Sequence, residues 1–521
     1  MSAAPRRRLC ASELFVFALL AAAHVYLLNE YPSFPHPNTR SRLYLTLALA
    51  EQGSFRVDAQ AARYGLVLDL ARRGPHYYSD KPPGAPLLLA PIAWLLRQGP
   101  IPVSRDPTPM LVALRLLGVS LPAVGFWFAT RRLWYRAAGG TQPGLALILA
   151  GALGTPFFVY ATQLFNHVPA ALLLFAAHRA LRGPEQEAGE SAERARGAHS
   201  LRPALLAGLL AGLAFCVDYA VALAGLVLFA YAGLSRPDRR AARALAFAAG
   251  AGPALLFLLF YNAVCFGSPF STGFQFVLDP RYAGSYQSGL LGIQPPDPRA
   301  ILGLTLLPKR GLAYLSPMLL LAAWGWFRQW RERRSEALLP LLVALAIAGF
   351  ASTAVDWQSG WSVGSRYLVP AIPFLMLGVA AALCRARPGG AVEILFRAAA
   401  CAGVAMIGLA ALSFPHFPKE FGNPLWQLAL PLLAGGHLTR NLLGASGIAD
   451  DLVPFALLLA AAIGFLAFRS WRPAPRFGPR RGAAVLALAA SLLVVLWATA
   501  MPAGGPIQEA ALRGVLLRMG Y

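Results

Sequence analysis

Long apolar runs, recurring from near the N-terminus to almost the end of the chain and separated by short arginine-rich blocks, limit this sequence to few architectures. A bilayer core of about 30 Å needs roughly 20 apolar residues per helix. That window finds thirteen candidate spans, at about 12–30, 109–130, 144–161, 167–181, 203–217, 219–234, 242–262, 313–328, 337–355, 367–383, 393–413, 452–468 and 483–501. With 57% hydrophobic and 13% charged residues, the chain has too little polar surface to coat a soluble globule of 521 residues. The predicted class is therefore all-α: one polytopic helix bundle over 1–521. Residues 84–97, apolar but broken by Pro86 and Pro91, read as an interfacial helix and not a further crossing.

The net charge of +23 would suit a nucleic-acid partner were the arginines clustered on a soluble domain. They lie in short blocks between apolar runs instead, which points away from nucleic acid. Placing the N-terminus in the cytoplasm collects 27 of the 46 basic residues on that side, as the positive-inside rule requires. The opposite face, periplasmic if this is a bacterial inner membrane, then holds residues 31–108, the corners at Gln163–His167 and Asp218, residues 263–312, 356–366 and 414–451, and the tail from Pro502. The stretch 183–200 reads as a solvated cytoplasmic linker. Cys10, Cys216, Cys265, Cys384 and Cys401 form no C-x-x-C pair and suggest neither a metal nor a disulfide framework.

The residues able to do chemistry gather in those outer loops. In the first, a short amphipathic helix around Leu43–Ala50 is expected to lie at the headgroups and bring Arg40 and Arg42 to lipid phosphates. Downstream, Tyr77-Tyr78-Ser79-Asp80-Lys81-Pro82-Pro83-Gly84 sets aromatics, an acid and a base before two prolines that deny the backbone a helix. It reads either as an aromatic belt with a neighbouring ion pair or as a binding loop. Further on stand His167, Asp218 (a helix cap or a site residue), Lys309-Arg310, Asp356 and Arg366. Carboxylates as bases, cations for phosphate and aromatics for sugar rings supply what glycosyl transfer from a lipid phosphate needs.

The segments YYSDKPPG, CFGSPFSTGF, PKRGLAYLSP and WSVGSRYLVP, with the long first loop, resemble the GT-C class of membrane glycosyltransferases. That class includes the protein O-mannosyltransferases and the lipid A aminoarabinose transferases, and the tighter likeness is to family-39-like bacterial members. The resemblance implies an inverting transferase that takes sugar from a polyprenyl-phosphate carrier to a glycan, lipid or protein acceptor, needs no metal, and keeps its catalytic acid in the first outer loop. Lys81 matches the K-P-P lysine expected near the donor phosphate. The acidic pair usual after the first span is missing from HPNTRSRLYL, which leaves Asp58 and Asp69 as candidate bases. Arg42, Tyr78, Asp80, Lys81, His167, Asp218, Asp356 and Arg366 are the expected substrate-binding residues. Two other classes compete: a lipid or solute transporter, which would carry polar groups near span midpoints, and a noncatalytic binder of lipid carriers.

Overall fold

The computed structural model describes residues 9–27, 36–99, 101, 104–182, 200–283, 293–445, 452–469, 479–498 and 506–520. All of the expected linker except Ser200, and the far ends of the first and last expected spans, lie outside them. Helices occupy every one of the thirteen apolar segments. Among the described residues, four are long and apolar enough to cross a membrane: Thr108–Ala137, Pro237–Phe266, Arg366–Cys384 and Ala391–Ser413. Several of the others are shorter or interrupted; Gly154 and Thr155, for instance, divide 141–161 into Thr141–Leu153 and Pro156–Ala161.

The helices pack through small residues, as helices do where lipid supplies no hydrophobic drive between them. Helix Arg202–Val217 lies so close to Arg240–Phe266 that a Cβ on Gly208 would collide with the carbonyl oxygen of Phe247. Helix Ala391–Ser413 is buried along most of its length. Its Arg397 pairs with Glu393 and donates to the carbonyl oxygens of Leu466 and Arg469, so this buried charge lacks neither counter-ion nor acceptors.

The first outer loop departs from expectation. Helix Pro37–Gln52 does not lie at the headgroups, because it is packed inside the protein and buries every residue from Asn38 to Ala48. Arg40 and Arg42 are 6% and 3% exposed, out of reach of bulk lipid. The class is also not purely helical. Leu70–Arg73 and His76–Ser79 form an antiparallel hairpin whose turn uses Gly74 at φ 59°, with Leu70 opposite Ser79. Asp58 fastens this hairpin: it accepts the Tyr77 backbone N–H at 2.7 Å and contacts His76 Nδ1 at 2.9 Å. Tyr78 is buried edge-on against Phe266, with ring centroids 5.8 Å apart.

Two glycines let the loop close on the bundle. A Cβ on Gly84 would stand 2.5 Å from the carbonyl of Cys216, and one on Gly273 would stand 2.6 Å from Asp80 Cα. The Thr272-Gly273-Phe274 turn therefore seats directly on the Asp80 backbone. If close helix approach holds the bundle together, Gly208→Leu should destabilise it by about 1–3 kcal/mol, read as a lowered unfolding temperature in detergent.

Candidate active site

Lys81 organises the first of three clusters. Its ammonium lies 2.8 Å from Asp69 and 2.7 Å from Asp80. Asp80 also accepts from Ser41 Oγ at 3.0 Å, and Ser41 in turn bonds Ser79 Oγ at 2.8 Å, tying helix Pro37–Gln52 to the hairpin. Burial, reinforced by the Asp69 carboxylate, pushes Asp80 up to about 6 against the pull of Lys81 and Ser41. Burial also opposes ionisation of Asp69, yet Lys81, Arg366 and Arg42 outweigh it and hold that carboxyl below its ordinary range. Lys81 is held above its usual value because its two carboxylates outweigh its own burial.

A second cluster surrounds Phe165 in the Gln163–His167 corner. The guanidiniums of Arg42 and Arg366 both pack over this one ring, 5.6 and 5.7 Å from its centroid. Arg42 is aimed by carbonyl oxygens, donating to Asn38 O at 2.8 Å, to the Asn38 side chain, and to Asn166 Oδ1 at 2.6 Å. Asn166 donates onward to Val217 O at 3.1 Å. Next to it, His167 Nδ1 is 2.6 Å from Asp218 Oδ2, while Asp218 Oδ1 accepts the Ala220 N–H at 3.1 Å. The aspartate is thus both cap and partner. Neither Arg42 nor Arg366 has a carboxylate within ion-pair distance among the described residues. Burial and the nearby charge of Arg366 bring Arg42 down to about 10. Burial, with Arg366, Lys81 and Arg42 alongside, drives His36 to about 3, so the imidazole is neutral and the field here is positive.

The third cluster is the 356–366 loop. Arg310 is wholly buried and donates to five carbonyl oxygens, those of Lys309, Gln358, Gly360, Ser362 and Phe417, at 2.7–3.2 Å. Ser365 Oγ donates back to Arg310 O at 2.6 Å. This fastening sets Asp356, which pairs with Lys419 at 2.6 Å and accepts the Gly360 N–H at 3.0 Å, and sets the start of the helix that bears Arg366.

Two cavities meet at these clusters. One, of about 430 Å³, has an apolar wall that includes Phe215, Leu258, Phe270 and Phe274, and takes in Arg42, Asn166, His167 and Asp218. The other, of about 540 Å³, is lined by Asp69, Asp80, Asp279, Arg281, Tyr282 and Lys419 among others. Asn38, Lys81, Val355, Asp356 and Arg366 line both, and so form the shared wall.

Of the residues expected from sequence, Arg42, Asp69, Asp80, Lys81, His167, Asp218, Asp356 and Arg366 converge on these cavities. Asp58 lines neither, since both its oxygens serve the hairpin, and Tyr78 lines neither because Phe266 covers it. Sequence reasoning missed Asn38 and Lys419, and singled out Arg310 without foreseeing its backbone partners. Asn38 stands four residues before Arg42 on a helix, a spacing that puts the two side chains together. Lys419 is one of only three lysines in the chain.

No protein-family model matches the chain, and no curated protein matches it. Among solved structures, the chain is similar to ArnT from Cupriavidus metallidurans in the apo state, with TM-score 0.47 and 18% identity over 92% of this chain and 76% of that one. The same enzyme bound to undecaprenyl phosphate gives TM-score 0.43 and 16% identity with the same coverage. The apo oligosaccharyltransferase of Archaeoglobus fulgidus gives 0.41 and 14% over 88% of this chain and 56% of that one. Similarities of this size fix neither the family nor the chemistry of the chain.

Two outcomes test the site. Infrared titration should reveal a carboxylic-acid band present below about pH 6, lost above it, and missing in Asp80→Asn, since the protonated form prevails below the raised value. Arg310→Lys retains the charge but cannot reach five carbonyls, and should cost about 2–4 kcal/mol in stability, measured by denaturant unfolding.

Proposed function

We propose that the protein is an inverting membrane glycosyltransferase that moves a sugar from a polyprenyl-phosphate carrier to a polar acceptor. The observation that carries this reading is the pair of cavities, one apolar and one polar, sharing a wall that holds Arg366, with Arg42 beside it on the apolar side. An isoprenyl phosphate needs an apolar channel ending in fixed positive charge, and the sugar and acceptor need a polar one.

The phosphate belongs to Arg42 and Arg366 more than to Lys81. Lys81 already faces two carboxylates, so with both ionised the trio carries net negative charge, whereas among the described residues neither guanidinium has a carboxylate within ion-pair distance. Two forks of N–H donors suit the oxygens of a phosphate leaving group, whose charge grows as the glycosidic C–O bond breaks. Asp69 is the base in this reading. It opens to the polar cavity with a fifth of its side chain exposed, whereas Asp80 is 2% exposed and holds Lys81 in place. Attack by the acceptor oxygen on the face opposite the phosphate inverts the anomeric carbon.

In the same reading the thirteen apolar segments are thirteen crossings, the N-terminus is cytoplasmic, and both cavities open toward the periplasmic half of a bacterial inner membrane. Purified protein supplied with an undecaprenyl-phosphate-linked sugar and candidate envelope acceptors should turn over the carrier. Asp69→Asn should slow transfer by about 10²–10⁴-fold with carrier binding retained, and Arg366→Ala should lose carrier binding. Uptake of solute without turnover of the carrier would instead indicate a transporter.

A further inference from the structure

The Phe165 corner contains an ionisable pair that transfer itself does not require. Asp218 when ionised only accepts hydrogen bonds, so His167 Nδ1, 2.6 Å from Oδ2, must be the donor. That leaves Nε2 as the imidazole atom available to whatever enters the apolar cavity, which both residues line. The rings of Tyr160, Tyr367 and Phe165 wall the imidazole at 5.7, 5.9 and 6.0 Å. The charged and titratable groups around it are Asp218, Arg42, Arg366, Tyr160 and Tyr367, and Lys81 lies on the same cavity.

We propose that His167 is the proton carrier for the departing lipid phosphate: Nε2 takes up a proton when a phosphate monoester occupies the apolar cavity. This rests on the transferase reading above. In the donor the phosphate is a diester with one negative charge. Transfer breaks the bond from the anomeric carbon to the phosphate oxygen, and the electron pair stays on that oxygen. The acceptor O–H breaks as its oxygen bonds to carbon, and that proton goes to Asp69. The phosphate is now a monoester with a second negative charge.

The charge balance decides what His167 does next. A neutral imidazole with an ionised Asp218 contributes one negative charge beside the phosphate and repels the new one. Protonated from solvent, the same pair is neutral and Nε2–H can donate to a phosphate oxygen. In the empty cavity the guanidiniums of Arg42 and Arg366 leave no call for a third cation; the arriving dianion supplies it. When the carrier leaves, the proton leaves too, and the site is reset.

The test is calorimetric titration of the full-length protein in detergent with farnesyl phosphate near pH 8, in two buffers of different ionisation heat. At that pH the ligand, with a second pKa of about 6, is already a dianion, so any proton taken up is the protein's. The wild type should bind with uptake approaching about one proton per site, and the monomethyl ester of farnesyl phosphate, which has no second charge, should bind with almost none. His167→Gln should bind the monoester about tenfold more weakly with uptake near zero. Asp218→Asn retains an acceptor for Nδ1–H but removes the charge, and should lower the uptake. Binding by the wild type without proton uptake, or equal uptake with the ester, overturns the proposal and leaves the transferase reading intact. That comparison needs no variant, so a misfolded His167→Gln does not cloud it. Failure to bind farnesyl phosphate at all overturns both.

Discussion

The candidate site depends on one ammonium group held between two carboxylates. Away from water a lone lysine or aspartate is too costly to retain, so Lys81, Asp69 and Asp80 must be gathered by the fold or not ionise at all. Meeting that demand joins segments remote in sequence. Helix Pro37–Gln52 sends Ser41 to Asp80, the hairpin delivers Asp80 directly after its second strand, and Gly273 lets the segment after helix Arg240–Phe266 lie directly on the Asp80 backbone. The prolines after Lys81 then turn the chain into helix Gly84–Arg97, and Gly84 docks against the end of Arg202–Val217.

Fixing the lysine leaves the guanidiniums to carry the positive field. Arg42 is aimed by Asn38 and Asn166, and Arg366 by a loop that Arg310 fastens through five carbonyl oxygens. Amide and carbonyl oxygens orient Arg42 without cancelling its charge, as carboxylates would. The protein thus separates charges that are neutralised in place from charges left to meet a ligand, and of the second kind Arg366 stands where the apolar and polar cavities meet and Arg42 on the apolar side.

Much of the site was legible because ionisable residues are scarce in this chain. Asp69, Asp80, Lys81, Asp218 and Arg366 each break an apolar or aromatic stretch, and the cost of burying such groups made them visible. The same logic misled at Asp58, whose oxygens close a hairpin that no apolar pattern announced, and at Tyr78, which lies in a strand against Phe266. It also misled on Arg40 and Arg42. An amphipathic helix next to a membrane reads as one that lies on it, but the hairpin, helix Gly84–Arg97 and the Phe165 corner cover this one with protein. Arg310 broke the charge bias between the two faces, which hinted at a special role, but only the paths of two distant loops reveal that its partners are backbone carbonyls.

By itself, the sequence determined the helical class, the places of the apolar segments and the gathering of acids and cations into the stretches between them. These follow from composition and spacing, because the energy of moving an apolar or charged side chain between water and lipid is a property of each residue. Which carboxylates share the lysine, which arginines stay without a counter-ion, and which aspartate merely closes a hairpin were decided by tertiary structure alone. Those outcomes depend on distances of 2.6–3.0 Å between groups as far apart in the chain as Arg42 and Asn166, or Asp356 and Lys419. No local pattern encodes such distances; they exist only once helices, hairpin and corners have packed.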